Sequence, residues 1–149
     1  MEVIETQRGH QKILLDGYIY TKRKEVNGGI VWRCSVRSGL NNCSANLKTD
    51  RNLQNPRLLG VHTHEANNNK VEVAKCRNQM KQRARTSLDK PNQILANANA
   101  DLTELARPHL ATPETIKRDL RRIRSIHRPR EPPSLQELTI MGKYSSISL

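Results

Sequence analysis

The stretch WRCSVRSGLNNC at residues 32–43, followed by LLGVHTH at residues 58–64, decides how this chain folds. It supplies two thiols, Cys34 and Cys43, and two imidazoles, His62 and His64, in the pattern C-x8-C-x18-H-x-H. Zinc takes four such donors in a tetrahedron, and structural sites draw all four from the protein. The alternative is two buried cysteines and two surface histidines that never meet. Four ligands in a β-rich segment with little core favour zinc.

The two histidines differ in spacing from those of a ββα zinc finger, which lie three to five residues apart on a helix. Here only Thr63 separates His62 from His64. Side chains alternate along a strand, so an H-x-H pair on a strand points to one side and can converge on one ion. We therefore expect this site to be carried on a sheet.

Turn signals divide the region before and around the cysteines into strands. Asp16-Gly17 and Asn27-Gly28-Gly29 are strong turn sequences. The second lies between residues 18–25 and 30–34, which are rich in β-favouring residues, so we predict an antiparallel hairpin there. Residues 44–48 and 58–62 are weaker strand candidates.

The pattern beyond Glu65 changes to helical spacing. A first stripe contains Val73, Cys76, Met80, Ala84 and Leu88, and a second contains Ile94, Leu95, Ala98, Leu102 and Leu105. The last helix is predicted from Thr112 as N-cap and Pro113 as first residue. Its stripe contains Ile116, Leu120, Ile123 and His127. We expect Cys76 to be a packing residue, because it lies on such a stripe.

Composition and charge complete the domain assignment. Only 35% of the 149 residues are hydrophobic and none is Phe, too few for one large core. The net charge is +12, and residues 70–130 carry fifteen basic residues against six acidic ones. Such an excess favours polyanionic partners. We predict a zinc module at residues 8–66, a separate helical basic region at 70–128 and a Pro-containing flexible tail at 129–149.

Three cysteines without a hydrophobic leader argue against a secreted disulfide scaffold. No stretch approaches the roughly twenty apolar residues of a membrane span. We therefore expect an intracellular protein without a membrane partner, whose thiols bind metal.

At these residues the sequence resembles the FLYWCH-type zinc finger. The family pattern places Leu before Asp-Gly-Tyr, then Tyr, Trp-x-Cys, a second Cys and His-x-His. This chain supplies Arg8-Gly9, Leu15, Asp16-Gly17-Tyr18, Tyr20, Trp32-Arg33-Cys34, Cys43 and His62-Thr63-His64. The leading Phe of the family is absent, and Val31 stands where an aromatic residue often precedes the Trp.

The resemblance implies a fold. FLYWCH modules are similar to the plant WRKY domain, a four- or five-stranded antiparallel sheet closed by zinc at one end. In that domain the strand after Asp-Gly-Tyr enters the DNA major groove, which implies contacts from Lys22, Arg23 and Lys24 here. We therefore expect an α+β protein, in which a small zinc-closed sheet precedes the helical basic region.

The second half is similar to the segment that follows the FLYWCH module in proteins related to Mutator-like element transposases. The resembling stretches are residues 94–105, 116–124 and 132–135. The RNase H-like catalytic domain of such proteins has no room in this sequence, so we expect no transposition chemistry. No nucleophile–base pair is visible either, and we expect a protein that is not an enzyme.

These observations favour a nuclear, transposase-derived, DNA-binding module with bound Zn²⁺. On the last helix the expected phosphate contacts are Lys117, Arg118, Arg121, Arg122 and Arg124, which lie off the apolar stripe. The alternative is a zinc-stabilised module that binds protein partners, because a basic face is often only a solvated one. Trp32 and Tyr20 are candidates for base stacking, but we expect them in the core, because other large apolar residues are few.

Overall fold

A computed structural model of the chain describes residues 1–6, 9–37 and 42–127. Within these residues a six-stranded antiparallel sheet precedes three helices, which confirms the expected α+β class. The predicted tail at 129–149 lies outside the described residues, as do Arg8, Arg128 and the side chain of His127.

The sheet is a meander in which each strand pairs with its neighbour in sequence. Its strands are β1 (Glu2–Glu5), β2 (Gln11–Leu15), β3 (Tyr18–Val26), β4 (Gly29–Cys34), β5 (Asn46–Thr49) and β6 (Arg57–Leu59). The predicted hairpin is formed by β3 and β4. The sheet has six strands and not the expected four or five. The additional edge strand is β1, whose four residues include two glutamates and therefore did not suggest a strand.

Three helices follow the sheet. They are α1 (Asn68–Thr86), α2 (Pro91–Asp101) and α3 (Pro113–His127), with a short 3-10 helix at Arg107–His109 before α3. The side chain of Asn67 accepts a hydrogen bond from the backbone of Lys70 and caps α1. None of the helices in the described part of the chain is long and apolar enough to cross a membrane.

The Asp-Gly turn between β2 and β3 also connects the sheet to the helices. Asp16 and Gly17 have φ angles of 49° and 81°, as a tight hairpin turn requires. A Cβ on Gly17 would lie 2.7 Å from the Cβ of Ala66 and 2.7 Å from the Oδ1 of Asn68. The backbone N–H of Asn67 donates to the carbonyl of Gly17 at 2.9 Å. The glycine therefore allows the start of α1 to lie directly on the turn.

The core of the sheet is built on its largest side chains. Trp32 and Tyr20 are buried, which confirms that they belong to the core and are not exposed for base stacking. The indole N–H of Trp32 donates to the buried hydroxyl of Thr49 at 3.0 Å, so its polar atom is satisfied. Ile13, Ile30 and Leu47 complete this cluster.

The helices have an apolar core of their own. It contains Val73, Cys76, Met80, Ala84, Ile94, Leu95, Ala98, Leu102, Ala106, Ile116, Leu120 and Ile123. The packing role predicted for Cys76 is confirmed. Leu88 and Leu105 are 90% and 75% exposed, so their assignment to the stripes was wrong. Both lie beyond the ends of their helices, where helical periodicity no longer applies.

Polar contacts join α1 to β1. Lys75 forms an ion pair with Glu2 at 2.7 Å, and Arg85 forms one with Glu5 at 2.7 Å. The side chain of Asn78 accepts a hydrogen bond from the backbone N–H of Glu5 at 3.2 Å. The two apolar cores are thus distinct but linked by a polar seam. The separate folding of the helical region stays a prediction.

Candidate metal centre

The four predicted ligands meet at one end of the sheet. Cys34 is the last residue of β4, and Cys43 lies three residues before β5. Both are buried, while His62 and His64 are half-buried. One donor atom from each residue lies within 4.8 Å of the other three, so the group can hold a metal ion.

The histidines do not lie on a strand, which corrects that expectation. The last pair between β5 and β6 joins Asn46 to Leu59. Because β5 begins at Asn46, the chain beyond Leu59 has no strand left to pair with and leaves the sheet. His62 and His64 therefore belong to an irregular segment that follows β6.

Two of the separations between donor atoms are close to those of a tetrahedral zinc site. The Sγ of Cys34 lies 3.2 Å from the Nε2 of His64, and the Sγ of Cys43 lies 3.3 Å from the Nδ1 of His62. Zinc bonds of about 2.3 Å to sulfur and about 2.1 Å to nitrogen at a tetrahedral angle give about 3.6 Å between S and N. The observed separations are a few tenths of an ångström shorter. Two thiols and two imidazoles are also a donor set that structural zinc sites use.

Each imidazole has a partner for the ring nitrogen that faces away from the sulfurs. The Nδ1 of His64 lies 2.9 Å from the carbonyl oxygen of Glu65, to which it can only donate. The Nε2 of His62 lies 2.8 Å from the hydroxyl of Tyr20. Such outer contacts fix the tautomer and the orientation of a metal-binding histidine. The carbonyl of Glu65 therefore leaves the Nε2 of His64 unprotonated toward Cys34. A metal bound at the Nδ1 of His62 would leave the proton on its Nε2, which would then donate to the hydroxyl of Tyr20.

Tyr18 forms a wall of the site. Its ring stacks on the ring of His62 with centroids 3.6 Å apart and planes 6° from parallel. Its hydroxyl donates to the carbonyl of His64 at 3.5 Å. The sequence pattern identified Tyr18 and Tyr20 only as a strand marker and a core residue. Their spacing of two, which puts both on the ligand side of β3, was the signal for these contacts.

The thiols and the hydroxyl have shifted pKa values. Burial acts to raise the pKa of the Cys43 thiol, but hydrogen bonds from the backbone of Thr63 and Ala45 and from the side chains of Cys34 and Thr63 together lower that pKa to about 7. Burial raises the pKa of Cys34. Burial also raises the pKa of Tyr20 to about 12, so its hydroxyl stays neutral beside His62. Backbone donors around a sulfur stabilise the thiolate that metal binding needs.

The three predicted contacts on β3 have different surroundings. Lys22 lies opposite the buried Trp32, and its ammonium pairs with Glu25. The register shifts between Lys22 and Lys24, so Arg23 is an extra residue in a β-bulge. Its guanidinium reaches the Oδ1 of Asn46 at 3.4 Å. Bulges re-aim side chains, and here one directs an arginine across the neighbouring strand.

On α3 the predicted contacts divide into two groups. Arg118, Arg121 and Arg122 are exposed, and Lys117 is half-exposed. Arg124, which we expected to be free for phosphate, instead donates to the carbonyls of Ala84 and Ser87 at 3.3 Å each and to that of Asp89. It anchors α3 to the end of α1, because a guanidinium has enough donors to satisfy several carbonyls at once.

The hydrogen bond between Tyr20 and His62 gives a prediction. The substitution Tyr20→Phe keeps the buried ring and removes the hydroxyl that forms a hydrogen bond with His62 Nε2. Loss of such an outer partner lowers metal affinity by about 10–100-fold. Zinc affinity should be measured by competition with a chromogenic chelator. The matched variant Tyr18→Phe retains its stack on His62 and should bind zinc almost as wild type does. Equal affinities of Tyr20→Phe and wild type would contradict the assigned contact.

The comparisons with known proteins agree with this geometry. Residues 3–64 match the family model of the FLYWCH zinc finger domain. The match includes the four candidate ligands and begins within β1, earlier than the resemblance at residues 8–66 indicated. It ends at His64, so the Mutator-like resemblance of the helical region stays an expectation. No curated protein and no solved structure gives a significant match to this chain.

Proposed function

We propose that this protein, whose residues 3–64 match the FLYWCH zinc finger domain, is a non-catalytic DNA-binding module held together by one zinc ion. Cys34, Cys43, His62 and His64 would hold the metal. When bound, the ion supplies a structural crosslink between the end of β4, the segment before β5 and the segment after β6. Four protein donors leave it no position for a reactive water, which supports a structural role.

The observation that carries DNA binding is the exposed side of α3. Its buried side contains Ile116, Leu120 and Ile123. On the other side Arg118, Arg121 and Arg122 are exposed, and none of them forms an ion pair with any described residue. Unpaired arginines on one helix side match the negative charge of phosphates, and each contact releases counterions. Arg23 and Lys24 on β3 add two more exposed cations.

We also propose a nuclear location and an origin in a transposase-like protein. The location follows from DNA as the partner. The origin rests on the resemblance of residues 94–105, 116–124 and 132–135 to the segment behind the zinc finger in Mutator-like element transposases. We do not propose that this chain shares the catalytic carboxylates of those transposases.

A salt titration tests DNA binding by α3. Zinc-loaded wild type should bind a short duplex, and log K should fall linearly with log salt. Changing Arg118, Arg121 and Arg122 to Gln should weaken binding to unrelated duplex sequences alike, and should reduce the slope by about 0.9 for each phosphate that the variant no longer neutralises. Fluorescence anisotropy at several salt concentrations measures both quantities.

The matched control removes the same charge from exposed cations elsewhere in the chain. This control variant changes Lys70, Arg83 and Arg107 to Gln. It should leave the slope close to that of wild type, because charges that do not contact the duplex are screened by salt and contribute little to binding. If zinc-loaded wild type binds no duplex even at low salt, DNA binding is wrong. If the two triple variants bind with equally reduced affinity, α3 does not contact the duplex.

A second candidate is a protein-interaction module. The edge strand β6 is exposed, and Leu58, Leu59 and Val61 are 52%, 45% and 81% exposed. An open sheet edge with exposed apolar side chains can pair with an extended segment of another protein. Binding through this edge would not depend on salt, which the same titration distinguishes from binding to phosphate.

A further inference from the structure

One face of the sheet is open over β3 to β6. Residues directly opposite each other on paired strands lie on the same face. One row across the four strands contains Lys24, Val31, Lys48 and Arg57. The next row contains Thr21, Arg33, Asn46 and Leu59. All eight residues are exposed or half-exposed, in contrast to Trp32 and Leu47 on the opposite face. We call these two rows the open face.

The open face is basic. It contains Lys24, Arg33, Lys48 and Arg57, and the guanidinium of Arg23 reaches it at Asn46. None of its eight residues is acidic, and none of these five cations forms an ion pair with another described residue. The carboxylate of Glu25, nearby on β3, is taken by Lys22. The charge of this face is therefore not neutralised from within the described part of the chain.

Two of these cations are placed unfavourably for an isolated sheet. Lys48 and Arg57 lie directly opposite each other on β5 and β6. Like charges at such positions destabilise a pair of strands. An anion bound over the face would relieve this repulsion. The arrangement therefore indicates a ligand that carries several negative charges.

The open face is too wide to enter a groove of DNA. Four strands span about 14 Å between the axes of β3 and β6, at about 4.8 Å per strand. The major groove is about 12 Å wide and admits two strands. A face of this width lies against the phosphates at the rim of the groove and does not read bases. Its contribution to binding is then independent of sequence.

The lack of exposed rings argues against single strands. Proteins that hold unpaired bases stack them on aromatic side chains. The open face has no aromatic residue in either row. Trp32 and Tyr20 are buried on the other side, and Tyr18 is stacked on His62.

We propose that the open face binds the sugar–phosphate backbone of duplex DNA through Arg33, Lys48 and Arg57, together with Arg23 and Lys24. This inference rests on the proposed function and adds three contacts on strands β4 to β6. In this arrangement the sheet lies on the duplex, whereas the WRKY likeness implied that the strand with Lys22, Arg23 and Lys24 enters the major groove. α3 then supplies a second group of phosphate contacts.

The test uses the full chain loaded with zinc. A face variant changes Arg33, Lys48 and Arg57 to Gln, and the control variant is the Lys70, Arg83 and Arg107 triple defined above. Anisotropy titrations at several salt concentrations use two duplexes of unrelated sequence. We expect the face variant to reduce the magnitude of the salt slope by about 2.7, at about 0.9 for each of three phosphates, equally on both duplexes. The control variant should retain the wild-type slope.

Zinc content and the circular dichroism of the sheet establish that the face variant is folded. If it is not, the double variant Lys24→Gln with Arg33→Gln, both at exposed positions, replaces it and should reduce the slope by about 1.8.

If the folded variant has the slope of wild type, the open face does not contact the DNA backbone, while the proposal of DNA binding stands. A reduction confined to one duplex overturns the backbone contact in favour of base reading. Polyglutamate serves as a model of an acidic protein. If the face variant loses binding to polyglutamate but binds DNA as wild type does, the open face binds an acidic protein instead. No binding of DNA by wild type overturns both proposals.

Discussion

Replacement of Cys34 by serine is expected to unfold the sheet of this protein and to leave its helices folded. The sulfur of Cys34 is one of four donors within 4.8 Å of one another. The main apolar cluster of the sheet contains five buried side chains. Structural zinc contributes an apparent free energy of about 10–16 kcal/mol at neutral pH in small fingers, more than such a core supplies.

The helices should survive because their core does not use the metal. Their apolar cluster lies entirely within residues 73–123. Circular dichroism of Cys34→Ser should therefore retain the helical signal and lose the β signal. Native mass spectrometry should find one zinc in wild type and none in the variant. Treatment of wild type with a chelator should reproduce both changes.

Cys76→Ser is the matched control for this substitution. Cys76 is also buried, but its sulfur contacts the carbonyl of Ala98 at 3.6 Å within the helical core, and a serine hydroxyl can donate to the same carbonyl. The control should keep its zinc and its sheet. A Cys34→Ser variant that folds like wild type without metal would show that zinc is not needed for the fold. Loss of all helicity with the metal would show that the two cores fold as one unit.

Gly29→Ala is expected to destabilise the zinc-loaded protein by about 3 kcal/mol or more. A Cβ at this position would lie 2.0 Å from the carbonyl oxygen of Thr49 and 3.1 Å from its carbonyl carbon. These are backbone atoms of β5, so they cannot rotate away. The methyl group would separate β4 from β5, where Trp32 and Thr49 form their buried hydrogen bond.

Gly28→Ala is the control for this effect. Gly28 has a φ of 81°, but a Cβ there would meet no atom within 4 Å. Its cost is the left-handed backbone alone, about 1–2 kcal/mol. Thermal unfolding at saturating zinc should rank wild type first, Gly28→Ala second and Gly29→Ala last. Equal melting temperatures for the two variants would refute the assigned clash with Thr49.

The sequence predicted that these four residues meet, because their spacing is the one that a shared metal ion requires. Four donors must reach one ion, and that requirement is visible in C-x8-C-x18-H-x-H without any structure. The secondary structure around the histidines was less predictable. His62 and His64 leave the sheet because β5 begins at Asn46, a boundary that no local signal marks.

Other features depend on contacts that are distant in sequence. β1 contains only two apolar residues and is bound on one side by β2 and on the other by ion pairs with α1. Arg124 was identified as a free cation because its helix position lies off the apolar stripe. Its anchoring role depends on carbonyls at the end of α1, such as that of Ala84. Helical periodicity predicts which side of a helix is apolar but not which polar residues meet a neighbouring element.

The simple order of the strands has a consequence for how this protein is made. Every strand pairs with the one synthesised just before it, so strand pairs can form transiently in the order β1 to β6 as the chain leaves the ribosome. Contacts that are close in sequence form quickly, and such meanders need no late rearrangement. The metal site is different, because His64 emerges thirty residues after Cys34. A metal held by all four residues could therefore be bound only after His64 has been synthesised, and both cysteines would have to remain reduced until then.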